Sequence, residues 1–158
     1  MPDTFLLLLL DEVRGKTLRL LQVVEPPFDR WAPPGLHNTI LWHAGHAYVL
    51  TEWLTMQALG QPPQIPVGWF EMFSWESRPA EVPDERWPPL SDVIRHLETQ
   101  RKRLGQVVGN LTDEQLGSPS VADPRHTVRR SILHGLHDEA CHGGEIRLLL
   151  KMQRIAGV

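Results

Sequence analysis

The amino-acid sequence predicts an all-α chain, an antiparallel four-helix bundle. Four segments of about twenty residues repeat apolar side chains at three- and four-residue spacing, the period of one helix face. No stretch alternates apolar and polar residues as a half-buried strand would, and no hairpin signal interrupts the pattern. The prolines fall outside these segments. With 158 residues the chain has room for one domain spanning 1–158.

The first helix is expected over residues 4–24, with Asp3 as its N-cap and Glu25-Pro26-Pro27 as its stop. Leu6, Leu9, Leu10, Val13, Leu20, Leu21 and Val24 form its core stripe. A turn-rich connector leads to a second helix that starts at Asn38 or Thr39 and ends at Leu59, before Gly60 and Pro62-Pro63. Its broad apolar face carries Trp42, Val49, Leu50, Trp53 and Leu54. Residues 61–90 hold seven prolines and five large aromatics, Trp69, Phe70, Phe73, Trp75 and Trp87. So much proline forbids a long helix, and so many rings predict a crossover loop packed onto the bundle, with one short turn near 69–75. The third long helix is expected from an N-cap at Ser91 to Asn110, with Ile94, Leu97, Leu104, Val108 and Leu111 inward. Residues 112–116 predict one capped turn, and the last helix runs over 127–154. On it Ile132, Leu136, Ala140, Gly143, Ile146 and Leu150 define the expected buried stripe.

Charge narrows the function. Sixteen basic and nineteen acidic residues give a net charge of −3, and no basic stripe offers a footprint for a phosphate backbone, so nucleic-acid binding is not expected. The apolar run Phe5–Leu10 is short and flanked by Asp3, Asp11 and Glu12, unlike a signal peptide. No segment is long enough for a bilayer span, so no membrane partner is expected. The single cysteine, Cys141, fits a reducing compartment, and a cytoplasmic location is expected. Cys141 reads as a small buried residue, not a nucleophile.

Histidines carry the chemical signal. Five of the eight lie in two helical windows: His43 and His46 in LWHAGHAYV, and His134, His137 and His142 in ILHGLHDEACHGGEI, beside Asp138, Glu139 and Glu145. Imidazoles and carboxylates on facing helices are how bundles hold divalent metals. Residues i and i+4 lie only about 40° apart around a helix, so Asp138 and His142 reach one ion, as do Glu139 and His142 at i,i+3. His137 and His142 are about 140° apart and do not share a small ion. His46 shares its face with Trp42, Val49 and Trp53 and points inward. His43, one turn earlier, aligns with Ala47, Leu50 and Leu54; a hydrogen-bonded core histidine is the alternative for either. Glu139 falls in the apolar stripe, where a carboxylate must be paired or ligating; an arginine on a neighbouring helix is the alternative partner.

The run Trp31-Ala32-Pro33-Pro34-Gly35-Leu36-His37-Asn38-Thr39-Ile40, continuing into Trp42-His43-Ala44-Gly45-His46, resembles the DinB-like superfamily, which includes metal-dependent hydrolases and thiol S-transferases related to YfiT. So does His137-Asp138-Glu139-Ala140-Cys141-His142-Gly143-Gly144-Glu145-Ile146. The resemblance spans nearly the whole chain. It implies an up-down-down-up four-helix bundle, often a homodimer, with one metal histidine on the second helix and an H-x-x-x-H pair on the last. These positions map onto His46, Asp138 and His142. Aspartate stands where the family pattern has histidine, which shifts preference towards harder ions among Zn²⁺, Ni²⁺ and Mn²⁺. The implied activity is metal-dependent transfer of a low-molecular-weight thiol or hydrolysis of a small substrate, with Glu139 or Glu145 as base or supporting group. The competing expectation is a non-catalytic, stress-associated dimeric scaffold or small-molecule-binding bundle with a degenerate metal site. A cation at this site requires the rings of His46 and His142 to lie within about 6 Å of each other.

Overall fold

The computed structural model describes residues 1–158, and the chain is all-helical. Six α-helices occur: α1 (Thr4–Leu21), α2 (Ile40–Ala58), α3 (Trp69–Phe73), α4 (Leu90–Gly109), α5 (Asp113–Gly117) and α6 (Val128–Ala156). Three short 3₁₀ turns sit in the connections. This is compatible with the four-helix bundle that the periodicity predicts, built from the four long helices.

Caps explain the boundaries. Asp3 accepts from the Leu6 amide, Thr39 from Trp42 and Thr127 from Arg130, each satisfying an amide that the first helical turn leaves unpaired. Thr112 and Gln115 form a reciprocal capping box on α5. One expected cap is corrected: α4 starts at Leu90 after Pro89, so Ser91 lies inside the first turn. Proline sets the extended entry itself, and a side-chain cap is dispensable there.

Residue pairings set the helix directions. Arg129 meets Asp3 and Arg14 meets Glu139, so α1 and α6 run parallel. Asp11 meets Arg101 and Arg14 reaches the Leu97 carbonyl, so α1 and α4 run antiparallel. His43 meets His142 and Thr51 meets Gly135, so α2 and α6 run antiparallel. Tyr48 meets Gln100 and Glu52 meets Arg103, which makes α2 and α4 parallel. The long helices therefore run up, down, down and up.

Two apolar clusters fill the interior. One gathers Leu21, Ile40, Val49, Phe73, Leu97 and Ile146; the other gathers Leu6, Leu10, Met56, Leu104, Ile132 and Leu136. Between them lies a polar layer. The Arg14 guanidinium donates to both Glu139 oxygens, at 2.7 and 2.9 Å, and to the Leu97 carbonyl at 2.9 Å, tying three helices together. Glu52, wholly buried, accepts from Gln100, Arg103 and the Gln64 amide, while the Tyr48 hydroxyl donates to the Gln64 carbonyl. That second network fastens the start of the long 59–89 connection to α2 and α4.

The inward faces differ in part from the expected stripes. On α6 the buried residues are Val128, Ile132, Gly135, Leu136, Glu139, Ile146, Leu149 and Gln153. Leu150 is only partly covered, and Ala140, exposed, and Gly143, partly covered, line with Gly144 a groove of about 380 Å³ against Leu9, Val13 and Leu20 of α1. Leu9 is likewise exposed, and Arg14 and Thr17 take buried places on α1. Cys141 is exposed, not buried, and faces away from the core beside His137.

Candidate metal centre

Three donor residues converge between α2 and α6. His46, Asp138 and His142 each offer one ligand atom, and these atoms all lie within 4.8 Å of one another. The rings of His46 and His142 are 4.4 Å apart, inside the separation a shared cation requires. Asp138 Oδ2 stands 3.4 Å from His46 Nε2 and 3.3 Å from His142 Nε2. Donors held tetrahedrally at about 2.05 Å from an ion are about 3.3 Å apart, which is close to the separation of Asp138 Oδ2 from each imidazole nitrogen.

The observation that tests the donor set is Asp138 Oδ2 itself. It is sealed from solvent and has no hydrogen-bond partner of normal geometry. A buried carboxylate oxygen left this way is costly, and a cation held jointly with His46 and His142 would satisfy it. Burial pushes the Asp138 carboxyl up, but its interactions with His142 and then His46 outweigh this and hold it well below the usual carboxylate range. The group is a carboxylate at neutral pH, as ligation requires.

The imidazoles are set by their other ring nitrogens. His46 Nδ1–H donates to the Phe73 carbonyl at 2.6 Å, leaving Nε2 as the lone pair towards Asp138. Metal-binding histidines are oriented in this way. Phe73 reaches that place because residue 45 is glycine: a Cβ there would meet the Phe73 ring at 2.3–2.6 Å. Phe73 is fully buried and anchors α3, and through it the proline-rich connection, over the centre. Trp42 stacks on His46 at 4.7 Å and 23°, with its indole N–H donated to Ser77 Oγ at 3.0 Å. His43 faces His142, Nδ1 to Nδ1, at 2.7 Å. Burial, and after it the neighbouring His142 and His46, push the His43 imidazole down to about 3, so it is neutral at physiological pH.

The centre is open on one side. His46 is 5% exposed at its side chain, whereas His142 and Asp138 are 17% and 26% exposed. Access is therefore along α6. Glu139 does not share the site: it is wholly buried and both oxygens are held by Arg14, the ion-pair alternative that its place in the apolar stripe left open. Glu145 is exposed on α6, seven residues from Asp138 and hence on the same side of the helix. His137 is exposed and outside the cluster.

Trp42, the Phe73 carbonyl and Gly45 were not legible as parts of the site. The one signal available was the glycine between two histidines in the body of a helix, where glycine is costly unless something approaches closely.

The family model described as the DinB superfamily matches residues 9–146, which include every donor of the cluster. No curated protein matches the chain.

Proposed function

Because the chain belongs to the DinB superfamily, we propose that it holds one divalent transition-metal ion, Zn²⁺, Ni²⁺ or Mn²⁺, through His46 Nε2, Asp138 Oδ2 and His142 Nε2, as a metal-dependent transferase of a low-molecular-weight thiol or hydrolase of a small substrate. The observation that carries this reading is the sealed, unpartnered Asp138 oxygen between two imidazole nitrogens. A divalent ion there supplies Lewis acidity, which makes a thiol or water nucleophilic near neutral pH. The protein's own part is orientation and shielding. The Phe73 carbonyl fixes the His46 tautomer, Trp42 and the α3 segment cover the inner side, and the exposed edge of Asp138 and His142 admits the substrate. Glu145 is the exposed carboxylate available as a base, whereas Glu139 holds α1 against α6. Two neutral imidazoles and one carboxylate leave a site charge of +1, less electrophilic than a tris-histidine site and better matched to harder ions.

The chain is also proposed to pair as a homodimer through the α1 face, where Phe5, Leu8 and Leu9 are 84%, 67% and 39% exposed. A strict monomer in sedimentation at micromolar concentration contradicts this.

Calorimetric titration of tag-free protein with Zn²⁺, Ni²⁺ and Mn²⁺ tests the metal reading. One equivalent bound by the wild type, and loss of binding in folded Asp138→Ala and His142→Ala, support it. No binding by the wild type removes it.

A further inference from the structure

The contact between His43 and His142 is not used by the metal reading and asks for its own account. Two imidazole nitrogens 2.7 Å apart share one proton. His43 is 6% exposed, it sits on α2 one turn before His46, and its ring packs edge-on against Trp42 at 5.2 Å. The groups facing it are His142 from α6 and His46 and Trp42 from its own helix, and none is a carboxylate. An imidazole offers one donor and one acceptor nitrogen, so the His43 Nδ1 that meets His142 can take the acceptor role.

Two proton arrangements are open to this pair. If His43 Nδ1–H donates, His142 carries its own proton on Nε2, directed at Asp138, and has no lone pair for a cation. If His142 Nδ1–H donates to the His43 lone pair, Nε2 of His142 is free, 3.3 Å from Asp138 Oδ2. The carbonyl of Phe73 imposes the corresponding tautomer on His46. The His142 ring has no carbonyl or carboxylate at Nδ1, and His43 occupies that place.

We infer that His43 is a positioning residue of the metal centre: its buried Nδ1 accepts the Nδ1–H of His142 and so turns the His142 Nε2 lone pair towards the cation shared with His46 and Asp138. The inference rests on the metal reading above and adds a residue that does not itself ligate. A neutral imidazole acceptor leaves the site charge unchanged, unlike the carboxylate that more often takes this role.

The test compares zinc affinity in the wild type, His43→Leu and His43→Asn, with thermal unfolding as a check on folding. Asparagine Oδ1 lies close to the position of histidine Nδ1 and can accept the same proton; leucine fills the space and cannot. The expected result is a zinc Kd raised about 10- to 100-fold in His43→Leu and restored to within a few-fold of wild type in His43→Asn. In the zinc-loaded wild type, long-range ¹⁵N–¹H spectra are expected to show His142 protonated at Nδ1 in slow exchange with solvent. Unchanged affinity in folded His43→Leu overturns the inference and leaves the metal reading intact, as does a His142 ring protonated at Nε2 with zinc bound. If His43→Leu does not fold, the His43→Asn affinity and the wild-type spectrum decide. No zinc binding by the wild type overturns both.

Discussion

Replacing Glu139 by alanine separates a structural carboxylate from a catalytic one. The substitution removes both acceptors of the Arg14 Nε and Nη2 donors and leaves a guanidinium that is 3% exposed with the Leu97 carbonyl as its remaining partner. Breaking a buried pair from one side costs about 3–5 kcal/mol, because the surviving charge is desolvated without compensation. That is a large share of the roughly 5–15 kcal/mol that holds a domain of ordinary stability. At about 2–4 °C per kcal/mol for a chain of this size, Tm is expected to fall by about 6–20 °C. The double variant Arg14→Met/Glu139→Leu removes both charges and fills the space, so it is expected to recover most of the loss. Urea unfolding of the wild type, Arg14→Met, Glu139→Leu and the double variant gives the coupling energy directly. A Glu139→Ala loss below about 1 kcal/mol, or a double variant as unstable as the single, would refute the reasoning that this pair ties α1 to α6.

Three further outcomes are expected. Gly45→Ala places a methyl group against the Phe73 ring, so it is expected to destabilise by about 1–3 kcal/mol and to weaken zinc binding by displacing the carbonyl that orients His46, both read by calorimetry. His43 titrates near 3 when folded and near 6.5 when unfolded; below pH 6.5 the unfolded chain binds the extra proton, so stability of the metal-free protein falls with pH. The loss expected from His43 is about 2 kcal/mol at pH 5, and His43→Leu flattens the profile measured by urea unfolding between pH 7 and 5. Tyr48, the only tyrosine, is pushed up to about 12 by burial and then by Glu52; ultraviolet titration is expected to leave it un-ionised at pH 11 in folded protein, and ionisation near 10 would contradict its burial beside Glu52.

The helices were readable because apolar period, caps and proline stops agree locally: Asp3, Thr39 and Thr127 cap where their side chains and following residues say they should. The donors on α6 were readable for the same reason, since i,i+4 geometry alone puts Asp138 and His142 together. What the sequence left open depends on contacts between helices. The Glu139 partner lies 125 residues away, and nothing local distinguishes Arg14 from the other basic residues. Ala140 and Gly143 fall on the three- and four-residue stripe of the last helix, yet small side chains also mark a helix face that a neighbour leaves open, as the α1–α6 groove does. Cysteine is among the residue types most often buried, but the angle of Cys141 from the buried Glu139 and Ile146 places it outside. The facing of His43 and His142 required both the antiparallel course of α2 and α6 and their register, neither of which a single helix encodes.

X-ray absorption at the zinc edge of the reconstituted, tag-free protein addresses the centre itself. One bound ion with two imidazole nitrogens and one carboxylate oxygen at about 2.0–2.1 Å, and no sulfur neighbour from Cys141, is the predicted spectrum. A sulfur scatterer, a single imidazole, or retention of the same spectrum in Asp138→Ala would contradict the assignment of His46, Asp138 and His142.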